Sequence, residues 1–255
     1  MRMSRRALLL QSAKLAPAAP LLAGTKARIA LPGHSGSPRQ QASKLKVVIT
    51  GGHPGDPECG CGGTIARYSD AGHHVALLYL NRGEGYCGQN DPKDCARIRT
   101  AEAEKACAIL KAHALFTAQT DGGAVVDPPH YEEFSRLLLA QEPHIVFTHW
   151  PTDAHRDHRA ISALVLDAWL ASKKKFALYY YEVAEDTMRF SATDFVDTSG
   201  VADLHRAACY AHASQQPNKW FPLQVEMIRY HGLQAGCAQA EAFYGVSQQP
   251  QIVLP

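Results

Sequence analysis

From Leu45 onward, short apolar runs alternate with longer amphipathic ones, and this alternation restricts the fold more than any other feature of the chain. "KVVIT" (46–50), "HVALLYL" (74–80), "HIVFTHW" (144–150) and "FALYYYEV" (176–183) are rich in β-branched and aromatic residues and apolar on both faces. Strands covered by helices on both sides have this composition. Between them, apolar residues recur at helical spacing in "GTIARYSDAG", closed by Gly72, in "ARIRTAEAEKACAILKAHA", and in "YEEFSRLLLAQEP", stopped by Pro143. A further helix runs from near His155 through "RAISALVLDAWLAS", and "VADLHRAACYAHAS" and "NKWFPLQVEMIRYHGLQAG" read as two more. The pattern predicts an α/β fold, a Rossmann-like three-layer sandwich with a mostly parallel sheet flanked by helices. One domain over 45–255 accounts for it.

In open α/β sheets ligands bind beyond the carboxyl ends of the strands. Two polar segments lie there. "GGHPGDPECGCGG" (51–63) follows the first strand. A dinucleotide fingerprint needs G-x-G-x-x-G; Gly60 and Gly62 fit, but position 65 is Ile, and His53 and Asp56 come first, so the nucleotide reading fails on residue type. "HWPTDAHRDHRA" follows the strand ending at Trp150 and sets His155, Asp157 and His158 within four residues. Two imidazoles and a carboxylate, with one position left open, are the donors of a catalytic rather than a structural zinc site. Taken singly, His53 reads as a turn residue, Asp56 as a helix cap and His158 as an ordinary helix-start residue. Their joint placement at two strand ends argues for a metal. The 26 basic and 24 acidic residues leave a net charge of +2, which argues against nucleic acid as a partner.

These segments resemble the motifs of the PIG-L/LmbE-like de-N-acetylases, zinc-dependent enzymes that remove acetyl groups from N-acetylglucosamine-type sugars. The family's A-H-P-D-D-E is approximated by "GHPGDPE", and its P-x-D-x-H-x-D-H is matched by Pro151, Asp153, His155, Asp157 and His158. "RGE" (82–84), "IRTAEAEKACAIL", "AHASQ" and "AQAEAFYG" extend the similarity. The resemblance implies zinc, or another divalent metal such as Fe2+, held by His53, Asp56 and His158. It implies His155 and Asp157 as a proton-handling pair, with Asp157 orienting His155 and raising its pKa, and a small-molecule or glycan substrate. Glu84 and Arg99 are candidates for substrate hydroxyls. The chain departs from the family at Gly55, where the general-base aspartate of the D-D pair belongs. Asp157 is then the preferred replacement and Glu58 the next. A non-catalytic carbohydrate-binding protein, or another amidase of the same family, is the alternative.

The N-terminus, "MRMSRRALLLQSAKLAPAAPLLAGTKA", joins Arg5-Arg6 to a weakly apolar stretch and small residues, the pattern of a twin-arginine export signal over 1–27. Lys14 and the short apolar length disfavour a membrane span. A polar linker follows over 28–44, and the expected location is periplasmic or extracellular. Of seven cysteines, Cys87 and Cys95, flanking "GQNDPKD", are the pair expected to bridge; Cys59 and Cys61 read as buried small hydrophobes. Oligomeric state is not legible.

Overall fold

A computed structural model describes residues 44–255. The expected export signal (1–27) and all but the last residue of the expected linker (28–44) lie outside the described residues. The chain alternates β1 (Lys46–Gly51), α1 (Asp56–Asp70), β2 (His74–Tyr79), α2 (Pro92–Leu110), β3 (His113–Phe116), α3 (Pro128–Leu139), β4 (Ile145–His149), α4 (Arg156–Ala171) and β5 (Ala177–Tyr181). It continues through β6 (Asp194–Asp197), α5 (Ala202–Ala211), α6 (Pro217–Ala235) and β7 (Ala240–Gly245). The described strands form one sheet in the order β3-β2-β1-β4-β5-β7-β6. The pairings among β1 to β5 are parallel, and β7 is antiparallel to both of its neighbours.

The period of two along each strand sorts the core into two layers. Val47, Ile49, Leu77 and Phe147 pack with Ile65 of α1, Ala106 of α2 and Ala208 of α5. Val48, Leu78 and Val146 pack on the other face with Phe134 of α3 and Ile161 of α4. The sheet is therefore buried on both sides, as the unbroken apolar strands require. β1 and β4 are neighbours although α1 to α3 separate them in sequence, so the strand order reverses there. The crevice of such a sheet opens at that reversal, beyond the carboxyl ends of β1 and β4.

Two local expectations are corrected. The helix expected over "GTIARYSDAG" (63–72) starts earlier: α1 begins at Asp56, and Gly60, Gly62 and Gly63 are buried inside it. A Cβ on Gly60 would stand 2.4 Å from the Tyr181 ring, and one on Gly62 would stand 2.4 Å from the His205 ring. These glycines let α1 lie close against β5 and α5. The helix expected to run to Ala114 instead ends at Leu110, where Lys111 turns left-handed at φ 54°, and His113–Phe116 becomes the edge strand β3. The bridge between Cys87 and Cys95 is present; Cys59, Cys61, Cys107 and Cys209 are free and buried. No helix among the described residues is long and apolar enough to cross a membrane.

Candidate metal centre

His53 stands just beyond β1, and Asp56 opens α1 behind it. The backbone places them together, with the His53 N–H donating to Asp56 Oδ2 at 2.8 Å. His158 comes from the first turn of α4, whose N-cap is His155. Asp56 Oδ2 is the meeting point: it lies 3.3 Å from His53 Nδ1 and 3.1 Å from His158 Nε2. The remaining ring nitrogens already face carboxylates. His53 Nε2 is 3.2 Å from Asp157 Oδ2 and 3.1 Å from Asp121 Oδ1, and His158 Nδ1 is 3.2 Å from Asp153 Oδ2. A carboxylate behind each imidazole fixes its tautomer and raises its basicity as a ligand, which is the surrounding that metal-binding histidines have. The donor set thus fits a divalent cation.

The metal-competent groups overlap rather than form one isolated triad. His53, His155 and His158; Asp56, His149 and His158; and His53, Asp121 and Asp157 each offer ligand atoms within 4.8 Å of one another. His158 joins the first group to the second, which contains Asp56, and His53 joins the first to the third. His149, at the end of β4, and Asp121, in the loop after β3, were not singled out from the sequence. The position of His149 at a strand's carboxyl end is a usable signal; Asp121 carries none, because it lies in an irregular loop with no spacing to mark it.

The local charges respond to this crowding. Burial opposes the charged form of every member, yet hydrogen bonds with Asp121, Asp157 and Asp56 raise His53 well above the ordinary histidine range. Burial likewise lowers His158, but Asp56 and Asp153 outweigh it and carry the pKa to about 9. Asp56 is held well below the usual carboxylate range, chiefly by His158, against the opposing effect of burial. His155 moves the other way. Burial lowers its pKa first, then the positive His53 and His158 do so, and the nearby Asp157 does not compensate. Asp157 does raise the pKa of His155, as expected, but burial and the two neighbouring histidines outweigh it and the net shift is downward.

Asp157 has little freedom to move protons. Its Oδ2 accepts from Asn81 Nδ2 at 2.9 Å and from the Gly122 N–H at 2.8 Å, besides facing His53, and its side chain is wholly buried. Glu58 is equally committed: Oε1 accepts from Tyr79 Oη at 2.7 Å and faces His212 Nε2 at 3.0 Å, while Oε2 accepts from the Gly55 N–H at 3.1 Å. Arg99 reaches back to the first segment, donating from its two terminal nitrogens to Gly83 O at 3.1 Å and Pro54 O at 2.7 Å. It pins the turn that holds His53 and Asp56. Glu84 does not line the cavity at the centre; its carboxylate accepts from the backbone N–H groups of Arg82 and Asp121. Gly55 has φ 107°, a left-handed conformation, and a Cβ there would lie 3.6 Å from the His212 ring.

A cavity of about 160 Å³ opens beside Gly55 and Asp56, walled by Arg99, Glu185, Asp186 and Trp220. It gives a small polar ligand access to the face of the centre. Cys59 also borders it, but burial pushes its thiol well above the ordinary range, so it stays protonated and is a poor soft ligand.

A mostly parallel α/β sheet with a histidine–carboxylate cluster at its strand-order reversal defines a Rossmann-like protein whose crevice carries donors that fit a metal ion. The profile of the PIG-L family, described as GlcNAc-PI de-N-acetylase, matches residues 48–169. The diacetylchitobiose deacetylase of Thermococcus kodakarensis is 27% identical over 82% of this chain and 85% of its own length. The crystal structure of the conserved protein TT1542 from Thermus thermophilus is 28% identical, with a TM-score of 0.70 over 82% of this chain and 97% of that one. The N,N'-diacetylchitobiose deacetylase from Pyrococcus horikoshii shares the fold at 21% identity and a TM-score of 0.73, over 80% of this chain and 84% of that one. Over residues 48–169 the chain carries the PIG-L profile, and it is similar to the de-N-acetylases of that family.

Proposed function

We propose that this protein is a metal-dependent de-N-acetylase that hydrolyses the acetamide of an N-acetylglucosamine-type sugar or glycoconjugate. One observation carries the reading: Asp56 Oδ2 lies between His53 Nδ1 and His158 Nε2, each backed by a second carboxylate, at the mouth of a cavity. His53, Asp56 and His158 would hold zinc, or ferrous iron in its place. Such an ion supplies Lewis acidity toward the amide carbonyl and the attacking water.

The chain's own residues supply the rest. His155 Nδ1 accepts the Asp157 backbone N–H at 3.2 Å, so the neutral ring carries its proton on Nε2. With its pKa lowered, His155 is a neutral donor at working pH, suited to stabilise negative charge developing on the carbonyl oxygen. Asp157 orients His53, and Arg99 holds the Pro54–Gly55 turn in register. Trp220 and the cavity's polar groups offer a sugar ring an aromatic face and hydrogen bonds.

Gly55, which brings no carboxylate, favours one rival: a carbohydrate-binding protein that keeps the pocket without turnover. The deciding experiment measures acetate released from N-acetylated mono- and oligosaccharides with and without added Zn2+, together with bound metal by elemental analysis. Zinc-stimulated acetate release supports the enzyme; sugar binding without acetate release supports the rival; absence of stoichiometric metal overturns both. We also propose export by the twin-arginine route, resting on Arg5 and Arg6, with a periplasmic or extracellular location. A precursor with both arginines changed to lysine should stay in the cytoplasm, and its normal export would exclude that route.

A further inference from the structure

Amide hydrolysis is assisted by a group that accepts a proton from the attacking water, and Gly55 offers none. The acidic side chains around the centre differ sharply in whether they are free to do so. Glu58 and Asp157 are fully buried: Glu58 engages both oxygens with Tyr79, His212 and the Gly55 N–H, while Asp157 engages Oδ2 with Asn81 and Gly122 and keeps Oδ1 sealed from solvent without a partner. Asp121 divides its oxygens between His53 Nε2 and the Gly85 N–H. Asp153 is buried behind His149 and His158, and Asp186 Oδ2 lies 3.9 Å from His158 Nδ1. Glu185 alone among these acids is solvent-exposed, and among the described residues its carboxylate has neither a hydrogen-bond partner nor an ion pair.

Glu185 is nevertheless held in place. It sits on a tight turn after β5, where the Asp186 and Thr187 N–H groups donate to Val183 O at 3.1 and 3.0 Å, and the Val183 N–H donates to Thr187 Oγ1 at 2.9 Å. The turn is tied to α6 by Ala184 N–H to Gln224 Oε1 at 3.3 Å, and to the His155 segment by Ala154 N–H to Asp186 O at 2.8 Å. This fixed turn forms the cavity wall, in the same lining as Gly55 and Asp56. Arg99 lines that wall too, buried and with its Nε unpartnered.

We infer that Glu185 is the general base of this chain, the catalytic carboxylate that replaces the one missing at Gly55. The inference rests on the de-N-acetylase reading above. In the step assigned to it, the oxygen of water bonds to the acetamide carbonyl carbon as one O–H bond breaks and the proton passes to the Glu185 carboxylate. The C–N bond then breaks, the departing amine takes that proton, and the carboxylate is regenerated. Acetate and the free amino sugar are the products, and no further reactant is consumed.

The test compares wild type, Glu185→Gln and Glu185→Ala at matched zinc content on diacetylchitobiose. Both variants should retain bound zinc and leave KM within about twofold, while kcat falls on the order of 10²–10⁴-fold, the usual worth of a general base. The acidic limb of the kcat/KM profile should disappear, and added formate should restore part of kcat to Glu185→Ala but not raise that of wild type. An active wild type whose Glu185→Gln variant keeps its kcat and pH profile overturns the assignment and leaves the de-N-acetylase reading intact. Loss of zinc from the variants, or a raised KM with unchanged pH profile, also overturns it, because the residue would then be structural or substrate-binding. A wild type that binds zinc and releases no acetate overturns both readings.

Discussion

The floor and the wall of the cavity are built from the same kinds of residue and treat them oppositely. On the floor and just beneath it, Asp56 is half-buried and Asp157 and Glu58 fully buried, and each already contacts a histidine. On the wall, Glu185 and Asp186 project from a turn and make no short bond through their carboxylates. A carboxylate surrounded by donors has its lone pairs already engaged, whereas one open to solvent keeps them free for a bound ligand. The floor is suited to grip and orient, and the wall to exchange protons with a bound ligand.

The largest break of this division should come from His158→Ala. Replacing one of the carboxylates that stand behind metal ligands typically weakens binding about 10–100-fold, so removing a proposed ligand should cost at least ~100-fold in zinc affinity. Competition with a chromogenic chelator measures it, and unchanged affinity would remove His158 from the ligand set. The next effect concerns the metal-stripped protein. Because the pKa of folded His158 is raised from 6.5 to about 9, its contribution is complete below pH ~6.5 and is lost as pH rises through about 9. The loss corresponds to about 3 kcal/mol, visible as a falling urea midpoint between pH 6 and 9.5. A flat profile would mean that the positive charge of this cluster does not stabilise the fold.

Asp157→Asn sharpens the contrast from the other side. As an orienting group on the floor, it should weaken zinc binding and activity in parallel, by roughly 10–100-fold. A variant with full zinc affinity and no turnover would instead make Asp157 the base. The smallest effect is expected of Gly55→Asp, which adds a carboxylate at the boundary between the two regions. Its Cβ meets nothing closer than 3.6 Å, so the expected cost comes from holding a non-glycine residue at φ 107°, about 1–3 kcal/mol of stability. Thermal unfolding should show that loss without a gain in kcat. A tenfold rise in kcat would mean that the wall supplies no base.

These regions were unequally legible in the sequence. The floor came from two contiguous segments, so His53, Asp56, His155, Asp157 and His158 could be grouped by their position after β1 and β4. Asn81, Asp121 and His149 joined them only through the folded sheet, from the ends of β2 and β4 and from a long loop. Glu185 was less visible still, because a single exposed glutamate in a turn has no periodicity or spacing to mark it. The same rule governs the fold. β1, β2, β4 and β5 announced themselves as continuous apolar runs, whereas β6, reading Asp-Phe-Val-Asp at the sheet edge, is too short and polar to stand out. α1 was hidden by composition: its glycines resemble a loop locally and become helical only because the surrounding packing favours it.

That last point bears on the order in which the protein assembles. Each glycine in a helix interior costs roughly 1 kcal/mol relative to alanine, and Gly60, Gly62 and Gly63 crowd one short helix. A free peptide spanning 56–70 should therefore show almost no helical circular dichroism. In the intact chain α1 gains its stability on docking against β5 and α5, so its formation should follow theirs. Asp56, at its first turn, then reaches His53 and His158 late in folding. A nascent chain would have little means of sequestering zinc before its core is complete, and metal uptake would mark the end of folding rather than its nucleus.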